Sequence, residues 1–254
     1  MKDFIFIIPY FGKLPIYLPA FLHSIIPLQD SVDFLFITNC EEINEISTPK
    51  NFKVKISSFE EMQRCILEKK LGHVYDPYKL CDYKPLFGLI FDEDIQGYKY
   101  WGHCDIDVMM GDVIGFLNKI NYAIYDRIGV AGHFTLYKNK KEINELALTQ
   151  IPGPKYLRWS FVNKTTMPCH FDEYGMNLIC DFRKIHFYKN NHHLQPNKYS
   201  NLHLHTSNKK KYNELFVWDK GHIYLYTRDS ENNIHKKEFM YLHFEARKDI
   251  ISVH

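Results

Sequence analysis

The sequence predicts an α/β fold in which a sheet is flanked by helices, and three observations support it. A continuous apolar run, typical of a buried parallel strand, occurs at 4–8, and largely apolar segments that also read as buried strands occur at 33–38 and 98–104. Segments with helical spacing separate these runs, so consecutive strands would end at one common edge of the sheet. From Arg183 onward the pattern changes to strand and loop, which predicts a small C-terminal extension.

The first half of the chain alternates between strands and helices. The predicted elements are, in order, strand 4–8, helix 16–26, strand 33–38, strand 52–56, a helix from about 58 to 70, a helix-like stretch 78–91, strand 98–104 and helix 113–119. Ser57 or Ser58 can cap the second helix, because a serine oxygen accepts from the free amides of a first helical turn. Pro85 interrupts the helical pattern of 78–91.

The second half of the chain is less regular. Its predicted elements are one or two strands at 128–136, helix 142–148, a helix-like segment 170–179, and a hairpin of strands 221–226 and 238–244 with a turn at 229–233. Neither an internal repeat nor a low-complexity linker divides the chain. We therefore predict a single domain over residues 1–254.

The charge of the chain is nearly balanced overall but unevenly distributed. The formal net charge is +2, yet the part from Arg183 to the end carries 13 Lys and Arg against 7 Asp and Glu, with nine of the 14 His. Such a basic, His-rich tail could meet a phosphate-bearing ligand, a lipid headgroup or a nucleic acid, or it could be a solvated surface. The composition leaves these alternatives open.

Cysteine usage and hydropathy indicate the compartment. The six cysteines form no CxxC pair and no disulfide framework, as expected for reduced thiols of a cytoplasmic protein. The N-terminal residues lack a signal-peptide pattern, and no apolar run approaches the ~20 residues that span a bilayer. We expect a soluble protein, attached to a membrane surface at most.

The segment 101–107 (WGHCDID) carries the sharpest chemical signal. An apolar strand ends here in two carboxylates, Asp105 and Asp107, separated by Ile106. Residues two apart in an extended backbone point to the same side, so both carboxylates could converge on one divalent cation. Mn²⁺ and Mg²⁺ favour such oxygen ligands and leave positions for diphosphate oxygens.

Several motifs together resemble those of bacterial GT-A-type glycosyltransferases, especially the small enzymes encoded with capsule and O-antigen polysaccharide pathways. They are 9–11 (PYF) after the first strand, 38–39 (TN) after the second, 79–85 (KLCDYKP) and 100–107 (YWGHCDID). The resemblance covers residues 3–135 well and the remainder loosely. It implies a Rossmann-like mixed sheet flanked by helices, with a nucleotide-sugar-binding half at 1–135 and an acceptor side at 136–254.

The resemblance also implies a donor site over the carboxyl ends of the strands. The residues that it suggests for the nucleoside, ribose, sugar or diphosphate are Pro9, Tyr10, Phe11, Thr38, Asn39, Lys79, Asp82, Lys84, Asp105, Arg247 and Lys248. It further implies a third metal ligand near the C-terminus, for which His243 in the apolar segment 240–244 is the candidate. Core packing and surface salt bridges are the alternative roles for these residues.

A catalytic base is expected in the segment 170–177. In inverting enzymes of this type an acidic residue in a comparable segment deprotonates the acceptor hydroxyl, and Asp172 or Glu173 could do so. Both could instead cap a helix N-terminus. The resemblance favours an inverting mechanism and leaves a retaining one open.

The expected function is therefore transfer of a sugar from a nucleoside diphosphate, UDP above all, to a glycan or lipid-linked acceptor. It would use Mn²⁺ or Mg²⁺ at the inner face of the plasma membrane and require no nucleic acid. A metal-dependent phosphoesterase or nucleotidyltransferase could use the same carboxylates, and a polyanion-binding protein could use the basic tail. A zinc site from 192–193 and 203–205 is a weaker alternative, since no cysteines accompany the histidines. P-loop, GxSxG and HExxH motifs are absent from the sequence.

Overall fold

A computed structural model describes residues 2–189, 192–194 and 214–244 of the chain. Its strands are β1 (Phe4–Pro9), β2 (Val32–Thr38), β3 (Phe52–Ile56), β4 (Tyr100–Cys104), β5 (Val108–Met110), β6 (Arg127–Ala131), β7 (Phe134–Lys138), β8 (Phe187–Tyr188), β9 (His193–Leu194), β10 (Glu214–Asp219), β11 (His222–Arg228), β12 (Ile234–Phe239) and β13 (Tyr241–His243). Its α-helices are α1 (Leu18–Ile25), α2 (Phe59–Glu68), α3 (Leu80–Tyr83), α4 (Phe87–Ile90), α5 (Val113–Lys119), α6 (Lys141–Asn144), α7 (Trp159–Val162) and α8 (Met176–Arg183).

The central sheet has seven strands in the order β3-β2-β1-β4-β7-β6-β8. Strands β1, β2, β3 and β4 are parallel to one another, whereas β7 is antiparallel to both β4 and β6. The predicted α/β fold with a mixed sheet flanked by helices is therefore confirmed. Because β1 and β4 are adjacent and parallel, the loops after Pro9 and Cys104 leave the sheet at the same edge.

Alternation along β1 explains why helices cover both faces of the sheet. Ile5 and Ile7 belong to one apolar core, which includes residues of α2, α4, α7 and α8. Phe4, Phe6 and Ile8 point the other way, into a second core with residues of α1 and α5. Each fully buried side chain of this size contributes roughly 1.5–3 kcal/mol to folding. The continuous apolar run is thus the signature of a strand buried on both faces.

Local signals define the boundaries of several helices. Ser58 caps α2, accepting from the Glu61 amide (3.1 Å) while the Glu61 carboxylate accepts from the Ser58 amide (2.8 Å), so the predicted cap is confirmed. The stretch 78–91 is not one helix. It divides into the short helices α3 and α4, with Pro85 in the 3₁₀ turn between them, because proline cannot donate the hydrogen bond that a continuous helix needs.

The C-terminal strands form two small sheets. Strands β10, β11 and β12 are antiparallel, which matches the predicted hairpin up to Phe239. The strand predicted for 238–244 is divided at Met240, and its second part, β13, pairs instead with β5 and β9. This pairing returns the C-terminal strand to the edge where β4 ends. Among the described residues, no helix has the length and hydropathy needed to cross a membrane.

Candidate active site

Three side chains from two distant parts of the chain converge at the carboxyl edge of the central sheet. Asp105 and Asp107 follow β4, and His243 lies on β13, whose pairing with β5 places it opposite Val108. The Phe244 amide donates to the Asp107 carbonyl (2.9 Å), which extends this pairing past the strand ends. One potential ligand atom from each of Asp105, Asp107 and His243 lies within 4.8 Å of the other two.

The chemistry of these three groups fits a divalent cation. Two carboxylates supply hard oxygen ligands, and the His243 Nε2 atom lies 3.5 Å from Asp107 Oδ2. The His243 Nδ1 atom is buried without a hydrogen-bond partner among the described residues, which is costly unless the imidazole gains a further ligand. The site therefore suits a divalent cation that accepts both oxygen and nitrogen ligands.

A second group of potential metal ligands, Asp112, His222 and Glu238, lies outside this site. Its atoms already make short contacts with protein partners. Asp112 Oδ1 accepts from the Gly115 amide (2.8 Å), and His222 Nδ1 lies 2.7 Å from Glu238 Oε1. Asp112 therefore acts as a helix cap, and His222 and Glu238 form a cross-strand pair.

Lys84 places a cation between the two acidic parts of the site. Its Nζ atom donates to Asp105 Oδ1 (2.5 Å) and to the Gly132 carbonyl (2.9 Å) and lies 3.9 Å from Asp172 Oδ2. The opposing carboxylates outweigh the cost of burial and raise the pKa of Lys84, so it remains charged. Lys84 therefore offsets part of the negative charge of Asp105 and Asp172.

A cavity of about 350 Å³ joins these groups. This volume lies at the lower end of the range typical of small-molecule sites. Its polar and aromatic lining residues are Tyr10, Tyr17, Tyr78, Lys84, Asp105, Asp107, His133, His170, Asp172, Glu173 and His243. The cavity thus combines carboxylates and a lysine with aromatic rings that can stack on flat rings or sugar faces.

Asp172 and Glu173 also line the cavity, and they lie on a turn of π-helix, Phe171–Gly175, that leads into α8. Burial raises the pKa of Asp172 to about 7, and the charges of Glu173 and Asp105 add to this, while Lys84 opposes it. The Glu173 Oε1 atom accepts from the Gly132 amide (2.7 Å). A methyl group on Gly132 would lie 2.3 Å from Asp172 Oδ2, so the glycine allows the carboxylate to approach the backbone.

Lys79 and Asp82, expected at the donor site, are instead enclosed in the protein. They form a fully buried ion pair (2.7 Å), and neither lines the cavity. The Asp82 carboxylate also accepts from the amides of Cys169 and Phe171 (both 2.8 Å), and Lys79 donates to the Met167 carbonyl (2.7 Å). The pair thereby fixes the segment that carries Asp172.

The remaining expected donor residues divide into two groups. Pro9 and Tyr10 line the cavity, whereas Phe11, Thr38 and Asn39 do not. Phe11 packs against Phe59, because its ring is drawn into the apolar core beside α2. Thr38 is buried and accepts from the Cys40 amide (3.2 Å), and Asn39 accepts from the Gly12 amide (2.9 Å), so both fasten loops at the sheet edge. Arg247 and Lys248 lie outside the described residues, as do 203–205 of the alternative zinc site.

Sequence reasoning missed two residues that contact this site. The His133 ring stacks on His243 at 4.1 Å between centroids, and its Nδ1 lies 3.1 Å from the Tyr241 hydroxyl. Tyr17, just before α1, also lines the cavity, and burial together with Asp107 raises its pKa. The available signal for His133 was a histidine directly before β7, the strand that pairs with β4. Tyr17 had no signal beyond its aromatic character.

Fold and site together define an α/β protein with three potential cation ligands at the carboxyl edge of its sheet. The chain belongs to a family of unknown function (DUF6625), whose model matches residues 6–253. No curated protein matches the chain. Among solved structures, it is similar to the apo crystal structure of mouse xyloside xylosyltransferase 1, with 10% identity, a TM-score of 0.42 and coverage of 76% of this chain and 87% of that one. A likeness at this TM-score does not by itself assign a fold or a function.

Proposed function

We propose that this protein is a metal-dependent glycosyltransferase that moves a sugar from a nucleoside diphosphate to an acceptor hydroxyl. The convergence of Asp105, Asp107 and His243 in a cavity that Asp172 and Glu173 also line carries this proposal. A divalent cation held by the first group would bind the donor diphosphate and act as a Lewis acid for the leaving group. Asp172 or Glu173 would take the proton from the acceptor hydroxyl.

The protein's own residues supply the remaining requirements of the reaction. Tyr10, beside the sheet edge, offers a ring for the base or ribose, and Lys84 offers a positive charge close to the diphosphate. Asp172 has a pKa of about 7 and can therefore accept a proton from an acceptor hydroxyl near neutral pH. With Asp172 as the base, the proposed course is in-line attack with inversion. Residues 1–135 would provide most of the donor site and 136–254 the acceptor side.

The finer assignments follow from the likeness of the sequence motifs to GT-A-type enzymes. The proposed nucleotide is UDP. The proposed acceptor is a glycan or lipid-linked saccharide of a surface polysaccharide, such as capsule or O-antigen. Mn²⁺ or Mg²⁺ would be the cation, and the cytoplasmic face of the plasma membrane the place of reaction. Arg247 and Lys248 are retained as candidates for contacts to the diphosphate.

Calorimetric titration of UDP into the protein, with and without Mn²⁺, tests the donor site. Wild type should bind UDP in a metal-dependent way, and Asp107→Ala should lose that binding while keeping its circular dichroism spectrum and melting temperature. His222→Ala is a matched control, because His222 belongs to the other group of potential ligands. Metal-independent binding, or unchanged binding in Asp107→Ala, would contradict the assignment. If UDP does not bind, the other nucleoside diphosphates are tested in the same way.

A product assay separates the proposal from a phosphoesterase or nucleotidyltransferase that uses the same carboxylates. With a UDP-sugar and an acceptor saccharide, the proposed reaction releases UDP and a lengthened saccharide in equal amounts. Release of inorganic phosphate or of UMP without any new glycosidic bond would favour the alternative. Binding of polyanions that is indifferent to Asp105→Ala and falls steeply with salt would favour the polyanion-binding protein.

A further inference from the structure

Helix α8 exposes an apolar stripe directly beside the candidate active site. Leu178 and Phe182 lie on α8, and Tyr174 lies four residues before Leu178 in the π-helical turn that precedes the helix. The side chains of Tyr174, Leu178 and Phe182 are 60%, 41% and 53% exposed. Residues spaced by four lie on one face of a helix. The opposite face of α8 is already packed, since Met176 and Ile179 are buried in the core. The exposed stripe therefore does not serve the interior of the fold.

Neighbouring segments extend the stripe at both ends. The turn Leu146–Leu148, with exposed Leu148, packs against α8, and the Arg183 guanidinium lies within hydrogen-bonding distance of the Thr149 hydroxyl (3.4 Å). The turn Lys155–Leu157, with exposed Tyr156, packs against the π-helical turn that carries Tyr174. We call these five exposed residues, Leu148, Tyr156, Tyr174, Leu178 and Phe182, the α8 face.

The charges around the α8 face are mostly positive. Between residues 146 and 189 there are six Lys and Arg against three Asp and Glu. Two of those acids, Asp172 and Glu173, line the cavity, and the third, Asp181, is paired with Lys189 (2.5 Å). Lys155, Lys164 and Lys184 are exposed, as is Arg183. Exposed cations therefore lie at the end of α8 and in the turn that packs beside it, and the exposed acid nearest in the chain to the turn Leu146–Leu148 is Glu145.

The α8 face begins at the edge of the cavity. Tyr174 follows Glu173 in the chain, and its ring lies 6.1 Å from that of His170, which lines the cavity. A surface in contact with the α8 face would therefore lie next to the side of the cavity that holds Asp172 and Glu173.

We propose that the α8 face docks on the surface of an anionic lipid bilayer. Amphipathic helices with aromatic and aliphatic residues on one side and Lys or Arg around them bind at the headgroup boundary, where apolar burial and charge attraction add together. Three principal side chains are too few for a stable dimer, which buries about 1,200–2,000 Å² in total. The charge pattern also favours anionic headgroups over a second copy with the same positive surface. The docking stands independently of the proposed function. A corollary of docking, that the acceptor is presented from the bilayer, does rest on the proposed function.

Co-sedimentation with vesicles tests the docking. The probes are vesicles of phosphatidylcholine alone and of phosphatidylcholine with phosphatidylglycerol. Wild type should bind the anionic vesicles, with binding that weakens as salt is added, and Leu178→Glu/Phe182→Glu should bind at least about tenfold more weakly, because two apolar contacts are replaced by repelled charges. The matched control is Leu67→Glu/Ile234→Glu, which adds the same charge at sites that are 50% and 65% exposed on α2 and β12.

The outcomes separate docking from misfolding and from self-association. Melting temperature and circular dichroism identify any variant that fails to fold, and Leu178→Ser/Phe182→Ser then replaces the charged pair. Turnover with a water-soluble acceptor should be the same in wild type and in the α8-face variant. The proposal is overturned if wild type does not bind anionic vesicles or if the control pair weakens binding equally. It is also overturned if light scattering shows a wild-type dimer that the α8-face variant abolishes.

Discussion

The ammonium group of Lys84 lies 2.5 Å from Asp105 and 3.9 Å from Asp172, so one cation bridges a candidate metal ligand and the candidate base. Asp105 comes from the end of β4, and Asp172 from the turn before α8. Lys84 lies between them because the turn after α3 directs its side chain into the cavity. Two carboxylates that face one cavity repel each other, and a buried lysine reduces that cost.

Replacement of Lys84 should affect metal binding and turnover in opposite directions. In Lys84→Met we expect Mn²⁺ to bind at least as tightly as in wild type, because the lysine charge no longer repels the metal from Asp105. Turnover should fall at least about tenfold, because the Gly132 carbonyl and Asp172 lose their cation. Calorimetry and UDP release measure the two effects. Lys189→Met, which removes an exposed ion pair with Asp181, is the control. Weaker Mn²⁺ binding with unchanged turnover would contradict this account.

His243 should contribute to metal affinity although it lies 136 positions after Asp107. In His243→Ala we expect the affinity for Mn²⁺ to fall by about 10- to 100-fold, since one of three protein ligands is lost. His133→Ala should weaken it less, because His133 stacks on His243 and would orient it without binding the metal. Titration of Mn²⁺ into the nucleotide-free protein checks both. Equal losses in the two variants would mean that the stacked pair acts together.

The buried strands and the two aspartates of the candidate site could be predicted from local sequence patterns. Continuous or largely apolar segments predicted β1, β2 and β4, because a strand buried on both faces leaves little choice of side chain. Asp105 and Asp107 were singled out because their acidic character conflicts with the apolar strand that precedes them. His243 was suggested by likeness to a family, and the pairing of β13 with β5 that places it beside Asp107 could not be derived from spacing.

Roles that depend on tertiary partners were harder to predict. Lys79, Asp82 and Lys84 share one short motif, and nothing in their spacing distinguishes them. Only Lys84 enters the cavity, while the other two meet inside the protein, where the segment 167–171 supplies the partners that make their burial possible. The strand predicted for 238–244 is likewise divided at Met240 because its second part pairs with β5, and local sequence patterns do not predict that pairing.

The buried pair of Lys79 and Asp82 should matter for stability and not for donor affinity. Asp82→Asn should lower the free energy of unfolding by about 3–5 kcal/mol, because it leaves the Lys79 charge buried without its partner. The double variant Lys79→Met/Asp82→Asn should recover part of this loss. Urea denaturation measures the change, and UDP titration of the folded fraction should give an unchanged Kd. A higher Kd for UDP in Asp82→Asn, with unchanged stability, would indicate that Asp82 contributes to the donor site.

The pH dependence of the reaction should report Asp172. Its pKa is raised to about 7, so kcat/KM should rise with pH and level off above that value as the carboxylate becomes able to accept a proton. Burial is the main cause, Glu173, Asp105 and Asp82 add to it, and Lys84 opposes it. Asp172→Asn should lower kcat by about 10²- to 10⁴-fold and remove this rise. If Glu173→Gln does so instead, the base is Glu173.

The same pKa makes a separate prediction about stability that requires no substrate. The carboxyl of Asp172 ionises near its ordinary value in the unfolded chain but only near pH 7 in the folded one. The favourable contribution of its protonated form is therefore complete below about pH 4 and is lost as the pH rises through 7, by at most about 4 kcal/mol. In metal-free protein, the unfolding free energy of wild type should fall relative to Asp172→Asn between pH 4 and 8. A constant difference across that range would mean that the carboxyl titrates normally, and a proton-accepting role near neutral pH would then need another group.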